Sequence, residues 1–176
     1  MVRWQAQDFN NDKLSYDLYL RGPDQKEWKR VEEDFEQTSL IWDTETMPEG
    51  TTWLKLIASD RPDNAPDQAL ASERVSAPFA IDNSPPEVSL QIQREKEIHV
   101  QAEFSDRISP LARAQYTIDY GVQVHQIAPE DGIFDSPREM ARFVVADLSP
   151  GEHVLSVQAW DHLDNVGVQQ VVVEVK

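Results

Sequence analysis

Residues 50–64 read GTTWLKLIASDRPDN and residues 151–165 read GEHVLSVQAWDHLDN. With Gly50 and Gly151 as origins, Leu54 matches Leu155, Leu56 matches Val157, Ala58 matches Ala159, Asp60 matches Asp161 and Asn64 matches Asn165. The apolar side chains recur at every second residue, the period of a strand that shows one face to a core. Each run is entered from a Pro/Gly turn and left through an Asp/Asn-rich one. A pattern repeated with this spacing predicts one structural unit built twice.

The correspondence continues upstream. VRWQAQD, residues 2–8, puts Val2, Trp4 and Ala6 on one face, and IHVQAEFSD, residues 98–106, does the same with Ile98, Val100, Ala102 and Phe104. A polar turn and a second alternating run follow in each half, through Leu14, Tyr16, Leu18 and Leu20 and through Ala114, Tyr116 and Ile118. Between the halves, DNSPPEV at 82–88 holds two adjacent prolines. They lack amide donors and keep the chain extended, so a short stiff joint is expected over Asp82–Pro86, with domains at 1–84 and 85–176. Short alternating runs, eleven prolines and no long 3.6-residue period predict an all-β chain of two tandem β-sandwiches. The best helical stretch, DSPREMARF at 135–143 with Ser136 capping Pro137, is expected to form a turn at most. A leading run over Glu87–Ile92 has no counterpart in the first half. The first sandwich is therefore expected to lack its first strand, and the chain to be a piece of a longer polypeptide.

Composition narrows the function classes. The 176 residues include no cysteine, so disulfides and thiolate metal sites are excluded. Net charge is −16, shared evenly between the halves. A field of that sign repels phosphate backbones and anionic headgroups, which argues against nucleic acid and membrane surfaces as partners. No apolar run approaches the ~20 residues of a membrane span. A soluble monomer is expected.

The glycine, the alternating strand, A-x-D, the asparagine-ended turn and the DNSPPEV linker together resemble the bacterial immunoglobulin-like and fibronectin type III-like modules strung along large surface or secreted proteins. The resemblance covers nearly the whole chain and is specific for fold. It implies two tandem immunoglobulin-like (fibronectin type III-like) sandwiches and an extracellular, cell-surface or periplasmic location. It also implies a non-catalytic spacer or interaction role, with neighbouring domains of the same polypeptide as partners. Asp63 and Asp164 stand where that group commonly has glycine, which leaves the turn type open.

Catalytic motifs are missing: there is no G-x-S-x-G, no H-E-x-x-H and no glycine-rich phosphate loop. His153 falls in the inward frame of its strand and reads as a packing residue. DFNNDKL at 8–14 offers Asp8, Asn10 and Asp12, which with Asp60 form a calcium candidate. The competing reading is a polar turn in which Asx side chains bond their own backbone. Trp4 and Trp42 read as core. Tyr19, Trp28 and Trp53 fall off the inward frame, so an outer-face cluster could stack on a sugar or pack against a protein. The competing reading is edge or interdomain packing. Asp60, Asn64, Asp161 and Asn165 are read as turn-forming residues of a corner made twice.

Overall fold

The computed structural model describes residues 1–94 and 97–175. Contacts divide the chain into two units, Met1–Ile81 and Asp82–Lys176. The first contains β1 (Val2–Arg3), β2 (Ser15–Arg21), β3 (Lys29–Phe35), β4 (Ser39–Leu40), β5 (Gly50–Ser59), β6 (Ala71–Val75) and β7 (Phe79–Ile81). The second contains β8 (Glu87–Arg94), β9 (Ile98–Ser105), β10 (Leu111–Ile118), β11 (His125–Ile127), β12 (Arg138–Val145), β13 (Gly151–Asp161) and β14 (Val166–Val175).

The second unit is a complete sandwich. A three-stranded sheet ordered β12-β9-β8 faces a four-stranded sheet ordered β11-β10-β13-β14. Every described pairing in it is antiparallel. Seven strands in this order make it immunoglobulin-like, of the fibronectin type III-like kind. The repeated frame supplies the core: Leu155, Val157 and Ala159 are buried together with Phe104, Leu111 and Val173. Val88, Leu90 and Ile92 pack onto this core from β8. The 135–143 stretch forms no helical turn and enters β12 instead. Its alternation of Glu139, Ala141, Phe143 and Val145 matches β9 residue for residue, and ladder pairing outweighs the weak local helix signal.

The first unit is built on the same plan with a smaller second layer. Strands β3-β2-β5-β6, with β7 also on β5, form five-stranded pairing that faces the two-residue strands β1 and β4. Tyr16, Leu18, Leu40 and Leu54 are its buried core. Trp4 packs edge-on against Tyr16, ring centres 5.4 Å apart, and Trp42 Nε1 donates to Met47 Sδ at 3.0 Å.

Asp82–Pro86, expected as a joint, packs on the second unit. Ser109 Oγ donates to Asp82 Oδ2 at 2.5 Å, and Asn165 Nδ2 donates to the Asp82 carbonyl at 3.0 Å. The Pro86 carbonyl runs so close to β14 that a Cβ on Gly167 would lie 1.8 Å from its oxygen.

Candidate functional site

The repeated corner is the most developed polar constellation. In the second unit β13 ends at Asp161, which is 1% exposed. Its Oδ1 accepts the N–H groups of Leu163 at 2.8 Å and Asn165 at 3.0 Å, and Oδ2 accepts Asn165 Nδ2 at 2.8 Å. The carboxylate thus gathers the turn that follows it, as an Asx residue does when a strand ends without further ladder partners. Asp106, at the end of β9, accepts Ile108 N–H and Ser109 N–H, both at 2.8 Å. Carboxylate oxygens of Asp82, Asp106 and Asp161 all lie within 4.8 Å of one another. Burial pushes the Asp82 carboxyl above its ordinary value, and the negative charges of Asp106 and Asp161 add to this, against hydrogen bonds from Ser109 and Ser84.

The first unit assembles Asp8, Asp12 and Asp60 with the same 4.8 Å limit. Asp8 Oδ1 accepts Asn10 N–H at 2.8 Å and Asp12 N–H at 3.1 Å, the pattern of an Asx turn. Asn64 Nδ2 donates to Asp12 Oδ2 at 3.0 Å and to the Asp60 carbonyl at 3.1 Å. Lys13 N–H donates to Asp63 Oδ2 at 2.8 Å. Three of the four metal candidates therefore meet, while Asn10 enters through its backbone. The triads offer hard oxygens of the kind a divalent cation takes, and each of the six carboxylates already accepts at least one N–H group of its own unit.

Identical spacing in the two motifs hides a difference. Asp60 exchanges backbone and carboxylate bonds with Leu70: Asp60 N–H donates to the Leu70 carbonyl at 3.2 Å, and Leu70 N–H donates to Asp60 Oδ1 at 2.6 Å. Asp161 makes the same pair of bonds with Asn165. The spatial counterpart of Asn165 is thus Leu70, and Asn64 sits inside a longer loop. The left-handed position also differs: Asp164 has φ 66°, whereas Asp63 is not among the positive-φ residues.

Arg61, inside the first motif, clamps two strands. Its guanidinium donates to Asp17 at 2.6 and 3.0 Å and to Asp34 Oδ1 at 2.8 Å. Desolvation raises the Asp17 carboxyl, but the Arg61 bonds and the Asp34 N–H outweigh it and hold Asp17 below its ordinary value. Sequence reading missed both this clamp and the Asp82–Asp106–Asp161 triad. For the triad a signal existed, since carrying Asp8 and Asp60 across the repeat lands at Asp106 and Asp161. For Arg61 there was none, because its partners are 44 and 27 residues away.

The aromatic candidates share one outer face. Tyr19 lies opposite Lys55 and Arg21 opposite Trp53 in the β2–β5 register. Trp28 is covered by Arg21 at 4.7 Å and by Lys55 at 5.3 Å, and Lys55 also stands 5.0 Å over Tyr19. These are cation–π contacts, and a ring face beneath a cation is not open to a sugar. Trp160 is covered in the same way by Arg113 at 3.7 Å. His153 lies in the inward frame, with Nδ1 2.6 Å from Asp119 Oδ2 and Nε2 2.9 Å from the Ser149 carbonyl. The Asp119 bond raises the pKa of its imidazole, and the Ser149 bond adds to the shift.

Comparison with protein families finds no match, and comparison with curated proteins finds none. Among solved structures the chain is similar to "Structures of Clostridium thermocellum CbhA fibronectin(III)-like modules", with 16% identity, 98% of this chain and 82% of that chain covered, and a TM-score of 0.43. A likeness at that level carries no argument, and the strand order already described defines the class. The chain is all-β, with two tandem immunoglobulin-like (fibronectin type III-like) units. Among the described residues no helix is long and apolar enough to cross a membrane.

Proposed function

We propose that the chain is a non-catalytic spacer and interaction segment of a larger extracytoplasmic polypeptide, with neighbouring domains of that polypeptide as its partners. The supporting observation is where the polar motifs are spent. Asp161, Asn165, Asp60, Asn64 and Arg61 each bond groups of their own unit, and His153 is engaged by Asp119 and Ser149. Residues so engaged hold a shape, and a sandwich of fixed shape sets distance.

A second reading, a carbohydrate- or protein-binding accessory module, draws on Tyr19, Trp28 and Trp53 sharing one sheet face. A polysaccharide pull-down and glycan array separate the two. The spacer reading expects no retention of the wild-type chain. Retention that Trp28→Ala and Trp53→Ala both abolish would replace it with the binding reading. A calcium role for Asp8, Asn10, Asp12 and Asp60 is decided by thermal melts with calcium and with chelator, because a ligand of the folded state alone must raise the midpoint. An unmoved midpoint leaves that corner as a hydrogen-bonded turn.

A further inference from the structure

In a chain of net charge −16, the outer face of the four-stranded sheet of the second unit is uncharged through its middle. Leu155, Val157 and Ala159 point inward, so the residues alternating with them on β13 point out. Gln126, Gln115, Gln158 and Val168 cross this face as one row in register. Gln115 Nε2 donates to Gln158 Oε1 at 2.7 Å and Gln126 Nε2 to Gln115 Oε1 at 3.5 Å, which ties the row together. Thr117, Ser156 and Gln170 make the next row. Charge enters along these strands at the two ends of the face. Arg113 is aligned with Trp160 and Val166 at one end, and Glu152 stands opposite Glu174 at the other.

The fold does not require such a face. On the corresponding side of the first unit, β2, β5 and β6 carry Asp17, Arg21, Lys55 and Glu73, as a sheet face turned to water does. In the second unit two features are left over. Val166 and Val168 are 40% and 52% exposed, and Glu152 and Glu174 are like charges directly opposite across an antiparallel pair, which repel.

The order of the rows makes the face self-complementary. On β13, Ser156 lies midway between Trp160 and Glu152. A two-fold axis in the plane of contact, crossing the strands along the Ser156 row, brings a second copy onto the face with its strands running the opposite way. The row of Arg113, Trp160 and Val166 of each copy then meets Glu152 and Glu174 of the other. The glutamine row meets Val154 and its cross-strand neighbour Val172. The Ser156 row meets itself, and its hydroxyls and amide both donate and accept. Arg113 is already held on the face, 3.7 Å over the Trp160 ring.

We propose that two copies of the chain join through this face, antiparallel, with Arg113 of each offsetting the Glu152 and Glu174 pair of the other. Sheets packed in this way are turned by about 30°, and the contact is isologous. Surfaces rich in acids keep two such chains apart, so the contact falls where acids are fewest. The inference does not depend on the spacer reading, and it departs from the monomer expected from the sequence.

Sedimentation velocity of the full chain from about 10 μM to about 1 mM should show the apparent mass climbing toward that of two chains. Arg113→Glu should weaken the association by about tenfold or more, and Glu174→Arg added to it should recover most of the loss. Val168→Glu should weaken it as well. Val144→Glu, which places the same charge on β12 in the other sheet, should not. A chain that stays monomeric to about 1 mM overturns the proposal, as does a dimer that Arg113→Glu and Val168→Glu leave intact or that Val144→Glu weakens equally. If a variant does not fold, the side-chain amide NMR signals of Gln115, Gln158 and Gln170 in the wild-type chain must move with concentration, and fixed signals overturn it. A monomer in which those signals move on adding a soluble neutral glucan gives the face to a glycan, which overturns it too.

Discussion

Gly167→Ala sets two effects of opposite sign against each other. At an ordinary strand position the change restricts the unfolded chain and stabilises by about 0.4–1 kcal/mol. At Gly167 the new methyl would lie 1.8 Å from the Pro86 oxygen and 2.8 Å from the Pro86 carbonyl carbon. Both are backbone atoms, so no rotamer change relieves the overlap. Movement of Pro86 is resisted on both sides. Asp82 is held by Ser109 and Asn165, and Glu87 is already paired with Ser105 at the start of β8. Overpacking of this kind costs about 1–3 kcal/mol and occasionally more. Because the overlap falls on backbone atoms the cost lies at the upper end of that range, so destabilisation wins by about 1–2.5 kcal/mol after the entropy gain, which in a unit of this size lowers the midpoint by roughly 5–20 °C. Differential scanning calorimetry, with amide hydrogen exchange to assign the two transitions, reads the effect on the second unit. A midpoint that rises, as the unfolded-state argument alone demands, would refute the close approach of Pro86 to β14.

Asp161→Ala should cost the second unit about 1–3 kcal/mol, because the amides of Leu163 and Asn165 lose their acceptor. Urea denaturation reads the loss, and a gain in stability would show that relief of repulsion from Asp82 and Asp106 dominates instead. Asp164→Gly should stabilise by up to about 1 kcal/mol because φ is 66° there, while Asp63→Gly should weaken the first unit by removing the acceptor for Lys13 N–H; equal thermal shifts from the two would contradict the difference between the corners. Arg61→Ala should lower the first unit's midpoint near neutral pH. The Asp17 pKa is depressed in the fold, so its contribution is present above the unfolded value and is lost as pH falls through the folded one; melts of wild type and variant should therefore converge in strong acid. His153 runs the other way: its raised pKa makes the Asp119 contact fully stabilising below the unfolded value and lost as pH climbs through the folded one. His153→Gln should flatten the second unit's midpoint as pH rises from the ordinary imidazole value upward, and an unchanged slope would assign that dependence to other groups.

Much of the fold was legible because strand periodicity is a local property. Leu155, Val157 and Ala159 could be placed inward from their spacing alone, and Tyr19 and Trp53 outward. The aspartates were legible as a repeated corner, since both follow the last inward alanine. Their partners were less so. A-x-D-x-x-D-N aligns without a gap, yet Asp60 exchanges bonds with Leu70 and Asp161 with Asn165. Loop length is set by where the next strand joins its sheet, and that pairing lies outside the motif. The 135–143 stretch shows the same limit, because a weak local preference yielded to a full ladder with β9.

By itself, then, the sequence determined that the chain is all-β, made of two similar halves, with a corner written twice as ASDRPDN and AWDHLDN. Period, turn residues and self-similarity are carried by neighbours in the chain. Only the tertiary structure decided that Asp82 and Asp106 join Asp161 in one triad, that Arg61 clamps Asp17 and Asp34, and that Leu56 and Ala58 lie half-open where Val157 and Ala159 are sealed. Each of these depends on residues brought together across the sandwich, where strand order and the length of the facing strands set which groups meet.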